Sequence, residues 1–275
     1  MINQETEYGV LKKVIVCPPT YMEIKKVINE TQKHYENENI DVAVAVTEHE
    51  NFVAVLKSHN VEVIELEPKP QLNEQVFTRD IGFVINKQAF LAKMQREIRK
   101  PEVEEVEKYF EQNDLSYKKV TVPSIEGGDV IVAPDHVFVG LSERTTKQAV
   151  KSLELEVPNK QIIPLTLRDD ILHLDCAFNI ISEKEALIYR EAFTKEDMDI
   201  LKKHYELIEV TEEEQFTLGT NVLSIGNKTI LSLPENKQVN TELRKRDYTI
   251  IEVPFSEIIK SGGSFRCCTM PIERL

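Results

Sequence analysis

The chain has 275 residues, of which 41% are hydrophobic, and a formal net charge of −13 from 34 basic and 47 acidic residues. Such a chain can bury a core as one large domain or two ordinary ones, and its acidity disfavours nucleic acid and anionic membrane while suiting a cationic ligand. No apolar run approaches the ~20 residues of a membrane span, and the polar, acidic start from Met1 to Glu7 predicts a cytoplasmic protein.

Internal periodicity is the main architectural signal. Five short β-rich runs look alike, and a charged segment with helical periodicity precedes each of them. This pattern predicts a repeated helix followed by a closing strand. The closing strands are predicted at 61–66, 118–123, 161–165, 206–210 and 249–253, and the helices at 48–58, 102–112, 146–155, 195–205 and 239–246.

Four repeats also contain two apolar segments around a short polar turn, which predicts β-hairpins at 82–94, 129–141, 177–189 and 221–233. The fifth hairpin is expected to be shared between the chain ends, with 9–17 beside 267–272. Each unit then has the order ββαβ, and no unit could bury its apolar face alone. We therefore expect an α/β ring of pseudo-fivefold form, built as a single domain over residues 1–275.

Polar residues recur at one position of the repeat, the segment between a closing strand and the next hairpin, here called a join. In a closed ring, equivalent joins share one end and converge, so residues far apart in sequence can line one pocket. We predict the functional site there. The joins read Phe77-Thr78-Arg79-Asp80, Glu126-Gly127-Gly128-Asp129, His173-Leu174-Asp175, Gly219-Thr220-Asn221 and Ser261-Gly262-Gly263-Ser264-Phe265-Arg266-Cys267-Cys268.

Each join also has an ordinary structural explanation. Asp80 could pair with Arg79 at the surface, and His173 between two leucines could be a core histidine. Cys267 and Cys268 could be small buried residues, a strained disulfide, or metal ligands together with His173. The recurrence of such residues at matching joins favours a functional site. Since alternation along a strand sends adjacent side chains to opposite faces, only one of the two cysteines should face a pocket.

Three arginines recur at a second position of the repeat, where a hairpin is followed by a helix. The helix dipole disfavours a cation at this position. Because arginine clamps a carboxylate in a bidentate manner, we predict Arg99 and Arg144 as anchors for a ligand carboxylate. Arg190 is predicted to be an ordinary solvated residue. Cys17 and Cys176 lie in apolar strand patterns and are predicted to be packed.

The joins that contain Asp80, Glu126, His173 and Cys267 resemble the signature set of guanidino-group-modifying enzymes. These include arginine deiminase, dimethylarginine dimethylaminohydrolase and amidinotransferases, which share the five-bladed α/β-propeller (pentein) fold. The similarity runs from about residue 8 to residue 275. The motifs are specific for the superfamily and less so for its members, and Glu74 stands where relatives often have Asn or Asp.

The resemblance implies roles for the join residues. Cys267 would be the nucleophile, His173 the general acid and base, and Glu126 the group that orients the histidine. Asp80 and Asp175 would grip the guanidinium. A covalent Cys267 amidino adduct would then be hydrolysed by water.

The resemblance also implies that Arg99 and Arg144 anchor the substrate carboxylate and that Phe77 packs on the guanidinium face. The expected activity is a hydrolase acting on C–N bonds of linear amidines, with a substituted arginine or related amino acid as the small cationic substrate. An amine acceptor in place of water would make the chain an amidinotransferase. No metal or organic cofactor is expected, and the oligomeric state stays open. A non-catalytic ribosome-binding module of the same fold would not need these side chains.

Overall fold

The structure is a computed structural model that describes residues 1–120 and 123–275. The predicted second closing strand includes residues 121 and 122, which lie outside the described residues. Within the described ranges the chain forms five three-stranded sheets. The strands are β1 Leu11–Val16, β2 Glu62–Glu65, β3 Gly82–Ile85, β4 Gln88–Leu91, β5 Tyr117–Lys119, β6 Val130–Val132, β7 His136–Leu141, β8 Gln161–Thr166, β9 Phe178–Ile180, β10 Glu185–Ile188, β11 Glu206–Glu209, β12 Leu223–Gly226, β13 Thr229–Ser232, β14 Thr249–Glu252 and β15 Met270–Arg274.

All five sheets have the same topology. The middle strand pairs antiparallel with one neighbour and parallel with the other, and a helix connects the two parallel strands. This is the predicted ββαβ unit. The sheet orders are β15-β1-β2, β3-β4-β5, β6-β7-β8, β9-β10-β11 and β12-β13-β14. The helices are α1 Glu30–Tyr35, α2 Val42–Ser58, α3 Glu102–Gln112, α4 Lys147–Glu156, α5 Lys195–His204, α6 Glu212–Phe216 and α7 Lys237–Lys245.

The two ends of the chain complete one unit together, as predicted. Strands β1 and β15 are antiparallel, with Leu11 opposite Arg274 and Val14 opposite Pro271. Since β15 follows Cys267 by only two residues, this pairing holds the last join in the ring.

The helix boundaries agree with the predictions to within two residues except at α2, which begins at residue 42 rather than 48. The side chain of Asp41 caps this helix by accepting hydrogen bonds from the backbone of Ala43 and Val44. The following apolar residues carry no charge pattern, so the sequence signal was weak there. Pro101 is the residue before α3, and α1 and α6 were not predicted.

Aromatic packing positions the last join. Phe265 is fully buried, and its ring lies 5.5 Å from Phe52 of α2 and 4.8 Å from Phe255 between ring centroids. Such contacts stabilise a core beyond the burial of their area. The segment before the cysteines is therefore fixed against α2, one helix of the ring.

Helix length and hydrophobicity bear on membrane insertion. None of the helices in residues 1–120 and 123–275 combines the length and the hydrophobicity that a membrane span requires.

Candidate active site

The joins meet around a small inner cavity of about 10 Å³. Glu126 and Asp175 do not line this cavity, but each contacts a residue that does. The structure thus brings all eight predicted site residues together. Six of them line the cavity: Phe77, Asp80, Arg99, Arg144, His173 and Cys267.

His173 is fully buried between two carboxylates. Its Nε2 lies 2.8 Å from Glu126 Oε2, and its Nδ1 lies 3.5 Å from Asp80 Oδ1. Burial lowers the pKa of His173, but Asp80 and Glu126 outweigh it and raise the pKa to about 10. The imidazole is therefore protonated at neutral pH and can act as a proton donor.

Glu126 holds the histidine from behind. Its Oε1 accepts a hydrogen bond from the backbone of Gln95 at 2.9 Å, and its Oε2 lies 3.6 Å from Arg144 Nη1. Burial raises the pKa of Glu126, but the hydrogen bond to His173 and the nearby arginines lower it below its ordinary value. Glu126 thus fixes the ring as an ionised partner.

The second join has glycine where the catalytic side chains pack against the backbone. A Cβ on Gly128 would lie 2.7 Å from Asp80 Oδ1 and 2.8 Å from His173 Cγ. The next residue, Asp129, accepts a hydrogen bond at 2.9 Å from the backbone of Leu174. Burial raises the pKa of Asp129 to about 6. This join therefore positions the segment that carries His173.

Cys267 follows a turn in which Gly262 has a φ of +91°, a conformation that favours glycine. Asn221, from the fourth join, accepts hydrogen bonds from the backbone of Arg266 and Cys267 at 3.1 and 3.3 Å. The Cys267 sulfur lies 3.9 Å from both carboxylate oxygens of Asp175. The thiol is thus held at the cavity by the neighbouring joins.

The two adjacent cysteines have different surroundings. Cys267 lines the inner cavity, whereas Cys268 is fully buried and is not among its lining residues. All four cysteines are free thiols, so the vicinal disulfide considered from the sequence is not present. Within the described ranges, metal-ligand atoms cluster as two groups, and neither is the considered set of both cysteines with the histidine. The groups are Asp175 with Cys176 and Cys267, and Asp80 with Glu126 and His173.

Arg99 is engaged by protein groups on every side. Its guanidinium donates to Asp80 at 2.6 Å, to Glu102 at 2.8 Å and to the carbonyl of Phe77 at 3.2 Å. Its Cζ also lies 6.0 Å from the centre of the Phe77 ring. The sequence predicted Arg99 as an anchor and assigned no role to Glu102. The role of Glu102 as a buried partner was missed because it depends on the tertiary fold.

Arg144 has free donor capacity. Its Nη2 donates to the carbonyl of Ile28 at 2.8 Å, while its buried Nη1 has no hydrogen-bond partner among the described residues. Burial lowers the pKa of Arg144, and Glu126 partly offsets this. Arg190 is exposed and lies 3.7 Å from Glu209, as expected for a solvated residue.

Glu74 is a cavity residue to which the sequence assigned no role. It is buried and accepts hydrogen bonds from Gln32 at 2.8 Å and from Ser261 at 3.1 Å. Burial raises the pKa of Glu74 to about 7. Its position six residues before Asp80 was the signal available in the sequence.

The inner cavity adjoins an outer cavity of about 550 Å³. Both cavities are lined by Arg144, by Leu172 and by the segment that contains Ile28 and Asn29. Asn29 Nδ2 donates to the carbonyl of Ser261 at 3.0 Å, which fastens this segment to the last join. The segment around Asn29 therefore lies between Cys267 and the outer cavity.

A second buried cluster, the arginine cluster, consists of Glu7, Arg79, Arg266 and Arg274. Glu7 accepts hydrogen bonds from Arg79 at 2.8 Å and from Arg266 at 3.1 Å. Burial raises the pKa of Glu7, but the three arginines outweigh it and lower the pKa to about 2. Arg79 thus pairs with Glu7, and the local ion pair with Asp80 considered from the sequence is not present.

The whole sequence can also be compared with known families and structures. A family model described as "N,N dimethylarginine dimethylhydrolase, eukaryotic" matches residues 18–274. The chain belongs to this family. Among individual proteins, the uncharacterized protein YkgA of Bacillus subtilis is 57% identical to this chain, over 98% of this chain and 94% of its own length.

Solved structures show the fold of this dimethylarginine dimethylhydrolase family member. The N-terminal domain of ArgZ, an arginine dihydrolase from cyanobacteria, has a TM-score of 0.88 at 20% identity, covering 95% of this chain and 97% of that one. SxtG, an amidinotransferase from Microseira wollei, has a TM-score of 0.85 at 16% identity, covering 99% and 97%. The fold is the five-bladed α/β-propeller (pentein) fold, and the chain lies within the guanidino-modifying superfamily.

Proposed function

We propose that the chain is a cysteine-dependent hydrolase of a guanidino compound, namely a substituted arginine or related amino acid. Residues 1–275 would form one catalytic domain, with the small cationic substrate as its partner. Family membership supports guanidino chemistry, and the cavity supports the residue roles that follow.

The carrying observation is a set of polar atoms at one cavity that make ion-pair contacts of 3.5–3.6 Å but no hydrogen bond. Among the residues described, Asp80 Oδ1, His173 Nδ1 and Arg144 Nη1 are buried without a hydrogen-bond partner, and all three residues line the inner cavity with Cys267. An unsatisfied buried polar group costs about 1–3 kcal/mol, so a ligand that satisfies them gains this energy. The set offers an acceptor for a guanidinium, a proton donor for an amine and a donor for a carboxylate.

The proposed reaction has two steps. The Cys267 thiolate attacks the guanidinium carbon, a C–S bond forms, and the C–N bond to the leaving amine breaks as His173 gives that amine a proton. Water then loses a proton to His173 and attacks the amidino carbon, the C–S bond breaks, and a ureido product leaves. Asp80 and Asp175 hold the guanidinium during attack, and Glu126 holds the histidine ring.

Arg144 is proposed as the main anchor for the substrate carboxylate, because its Nη1 makes no hydrogen bond and lies 3.6 Å from its ion-pair partner Glu126. Arg99 stays a predicted second anchor, although it would have to exchange a partner, since it already donates to Asp80 and Glu102. Phe77 would pack on the substrate beside Cys267.

A turnover panel tests the proposal. The purified chain is incubated with free and methylated arginines, agmatine and guanidino acids, and the products are separated by mass. We expect a ureido product and an amine from at least one carboxylate-bearing compound. A second measurement is labelling of Cys267 by a chloroacetamidine reagent. We expect selective labelling of this cysteine, and the guanidino compound that is turned over should protect it. Absence of both turnover and protected labelling across the whole panel would reject the enzyme hypothesis.

The alternative is an amidinotransferase that uses the same site, supported by the fold shared with SxtG. The panel distinguishes it when each reaction is run with and without an added amine such as glycine. Product that forms only with the amine, and carries the amidino group on it, would favour the transferase. A ureido product in water alone favours the hydrolase.

A further inference from the structure

The nucleophile has a second thiol beside it that the proposed reaction does not use. The sulfur atoms of Cys176 and Cys267 and a carboxylate oxygen of Asp175 all lie within 4.8 Å of one another. Both sulfurs contact the same oxygen, Asp175 Oδ1, at 3.7 Å for Cys176 and 3.9 Å for Cys267. The fold brings two distant cysteines into one buried group.

We propose that Cys176 is a resolving cysteine, which forms a reversible disulfide with Cys267 when a peroxide oxidises the nucleophile. The disulfide itself depends only on the two thiols. The consequence that it switches off turnover rests on the proposed function.

The chemistry is balanced with a hydroperoxide as oxidant. The Cys267 thiolate attacks one peroxide oxygen, the O–O bond breaks, and Cys267 becomes a sulfenic acid while the other oxygen leaves and is protonated to water or an alcohol. The Cys176 thiol then gives its proton to Asp175 Oδ1, 3.7 Å away, and its sulfur attacks the Cys267 sulfur. The S–O bond breaks, and the leaving hydroxide takes that proton from Asp175 and departs as water. The two thiols lose two electrons, which the peroxide accepts.

The surroundings assign the order of the two thiols. A hydrogen bond with Cys267, together with burial, raises the pKa of Cys176 well above its usual range. Cys176 therefore keeps its proton, and its S–H contacts Asp175 Oδ1. Because Cys267 lines the inner cavity as the proposed nucleophile, we assign the first reaction with the oxidant to Cys267 and the resolving step to Cys176.

Geometry also permits closure and access. A disulfide has an S–S length of about 2.05 Å, so the two sulfurs must approach by less than ~3 Å. Cys176 lines a separate cavity of about 250 Å³, next to Tyr189 and Gln215, whereas Cys267 lines the inner cavity. Each of the two sulfurs therefore faces a cavity of its own.

The other cysteines are matched controls. Cys268 is adjacent to the nucleophile in sequence, and Cys17 is buried elsewhere in the core. In the described part of the chain, neither belongs to a cluster of potential ligand atoms such as that of Cys176. A disulfide chosen by sequence proximity would link Cys267 to Cys268, whereas spatial proximity selects Cys176.

The test is peptide mapping of the full chain after oxidation. Reduced protein is treated with a small excess of hydrogen peroxide, free thiols are blocked, and the non-reduced digest is analysed by mass spectrometry. We expect one cross-linked peptide pair, Cys176 with Cys267, about 2 Da lighter than the sum of the free peptides. Dithiothreitol should remove the link.

Variants locate the effect. Cys176→Ala should show no link, and its Cys267 should proceed to sulfinic acid, whereas Cys268→Ala and Cys17→Ala should keep the link. Peroxide should lower wild-type turnover roughly tenfold or more, with recovery by dithiothreitol in wild type but not in Cys176→Ala.

Two results would overturn the proposal: a link to Cys268, or Cys267 sulfinic acid as the main product in the wild type. The link alone supports the resolving role even where no guanidino turnover is found, and that outcome would reject the proposed function instead. If the chain turns over a guanidino compound, peroxide does not reversibly lower that turnover, and no Cys176–Cys267 disulfide forms, the resolving role is rejected. The proposed function then still stands.

Discussion

Two buried polar clusters lie side by side in this fold, and their unpartnered atoms differ. Those of the arginine cluster are all guanidinium nitrogens. Those of the cavity cluster, defined as Asp80, Glu126, Arg144 and His173, are one carboxylate oxygen and two nitrogens. No member of the arginine cluster lines the inner cavity.

The difference shows that burial of charge alone does not identify a ligand site. Both clusters hold charged groups that burial makes costly unless they are paired. In the arginine cluster, Glu7 pairs with Arg79 and Arg266, and these ion pairs hold the two joins in which the arginines lie. The cavity cluster places a hydrogen-bond acceptor and two donors beside the inner cavity. This arrangement suits a ligand that carries both a cation and a carboxylate. Variants of the first should change stability, and variants of the second should change turnover.

The largest effect is expected for Cys267→Ser. Loss of the thiolate should lower kcat by roughly 10⁴-fold or more, because hydroxyl is a far weaker nucleophile at neutral pH. Steady-state turnover of the best panel substrate measures it. Cys268→Ser is the matched control and should stay within about threefold of wild type. Equal losses in both variants would contradict the assignment.

Asp80→Asn should have the next largest effect on turnover. The amide keeps the shape but removes the negative charge that faces His173 and grips the guanidinium. We expect kcat/KM to fall roughly 10²–10³-fold. The exposed Asp135→Asn serves as control and should leave kcat/KM unchanged. A fall in unfolding free energy large enough to explain the loss would instead make Asp80 a structural residue.

Glu7→Gln tests the arginine cluster. The pKa of Glu7 is about 2 against an ordinary 4.5, so its stabilisation is fully present above pH 4.5 and is lost as the pH falls towards 2. At pH 7 we expect a loss of about 3 kcal/mol in unfolding free energy. Urea unfolding measures it, with the exposed Glu50→Gln as control.

The pH dependence sharpens this prediction. The difference in unfolding free energy between wild type and Glu7→Gln should shrink as the pH is lowered below 4.5, because Glu7 of the unfolded chain then takes up a proton while Glu7 of the folded chain, with its pKa of about 2, stays ionised. A difference that stays constant down to pH 3 would show that the charge of Glu7 is not its source.

The smallest effect is expected for Arg144→Lys. Lysine keeps the charge but loses the planar fork that binds a carboxylate. We expect KM to rise roughly tenfold for carboxylate-bearing guanidino compounds while kcat changes little, and any turnover of agmatine, which lacks the carboxylate, to be unaffected. The exposed Arg190→Lys is the control. An equal loss for agmatine would contradict the anchor role.

Much of this architecture could be predicted from the sequence because the repeat is encoded locally. Alternating apolar runs, the turn at Asn86 and the helix cap at Thr194 are each determined by near neighbours. The repeat then indicated which positions converge, so Asp80 and Cys267 could be placed together without a contact map.

What the sequence did not predict depends on side chains that meet only in the folded chain. Glu102 has the pattern of an ordinary acid in a first helical turn, yet it pairs with Arg99 in the interior. Gln32 lies in a short polar segment with no periodic signal, yet its amide reaches Glu74. Cys176 fits an apolar strand, and only the ring brings it beside Cys267.

The pairing of β1 with β15 has a consequence for synthesis of the chain. Leu11 finds its partner Arg274 only after nearly the whole sequence has been translated, which at roughly 5–20 residues per second takes tens of seconds. Until then the first unit lacks a strand, and the edge of β1 that β15 covers is open. Closure of the ring therefore pairs this edge and assembles the cavity around Cys267 in one late step.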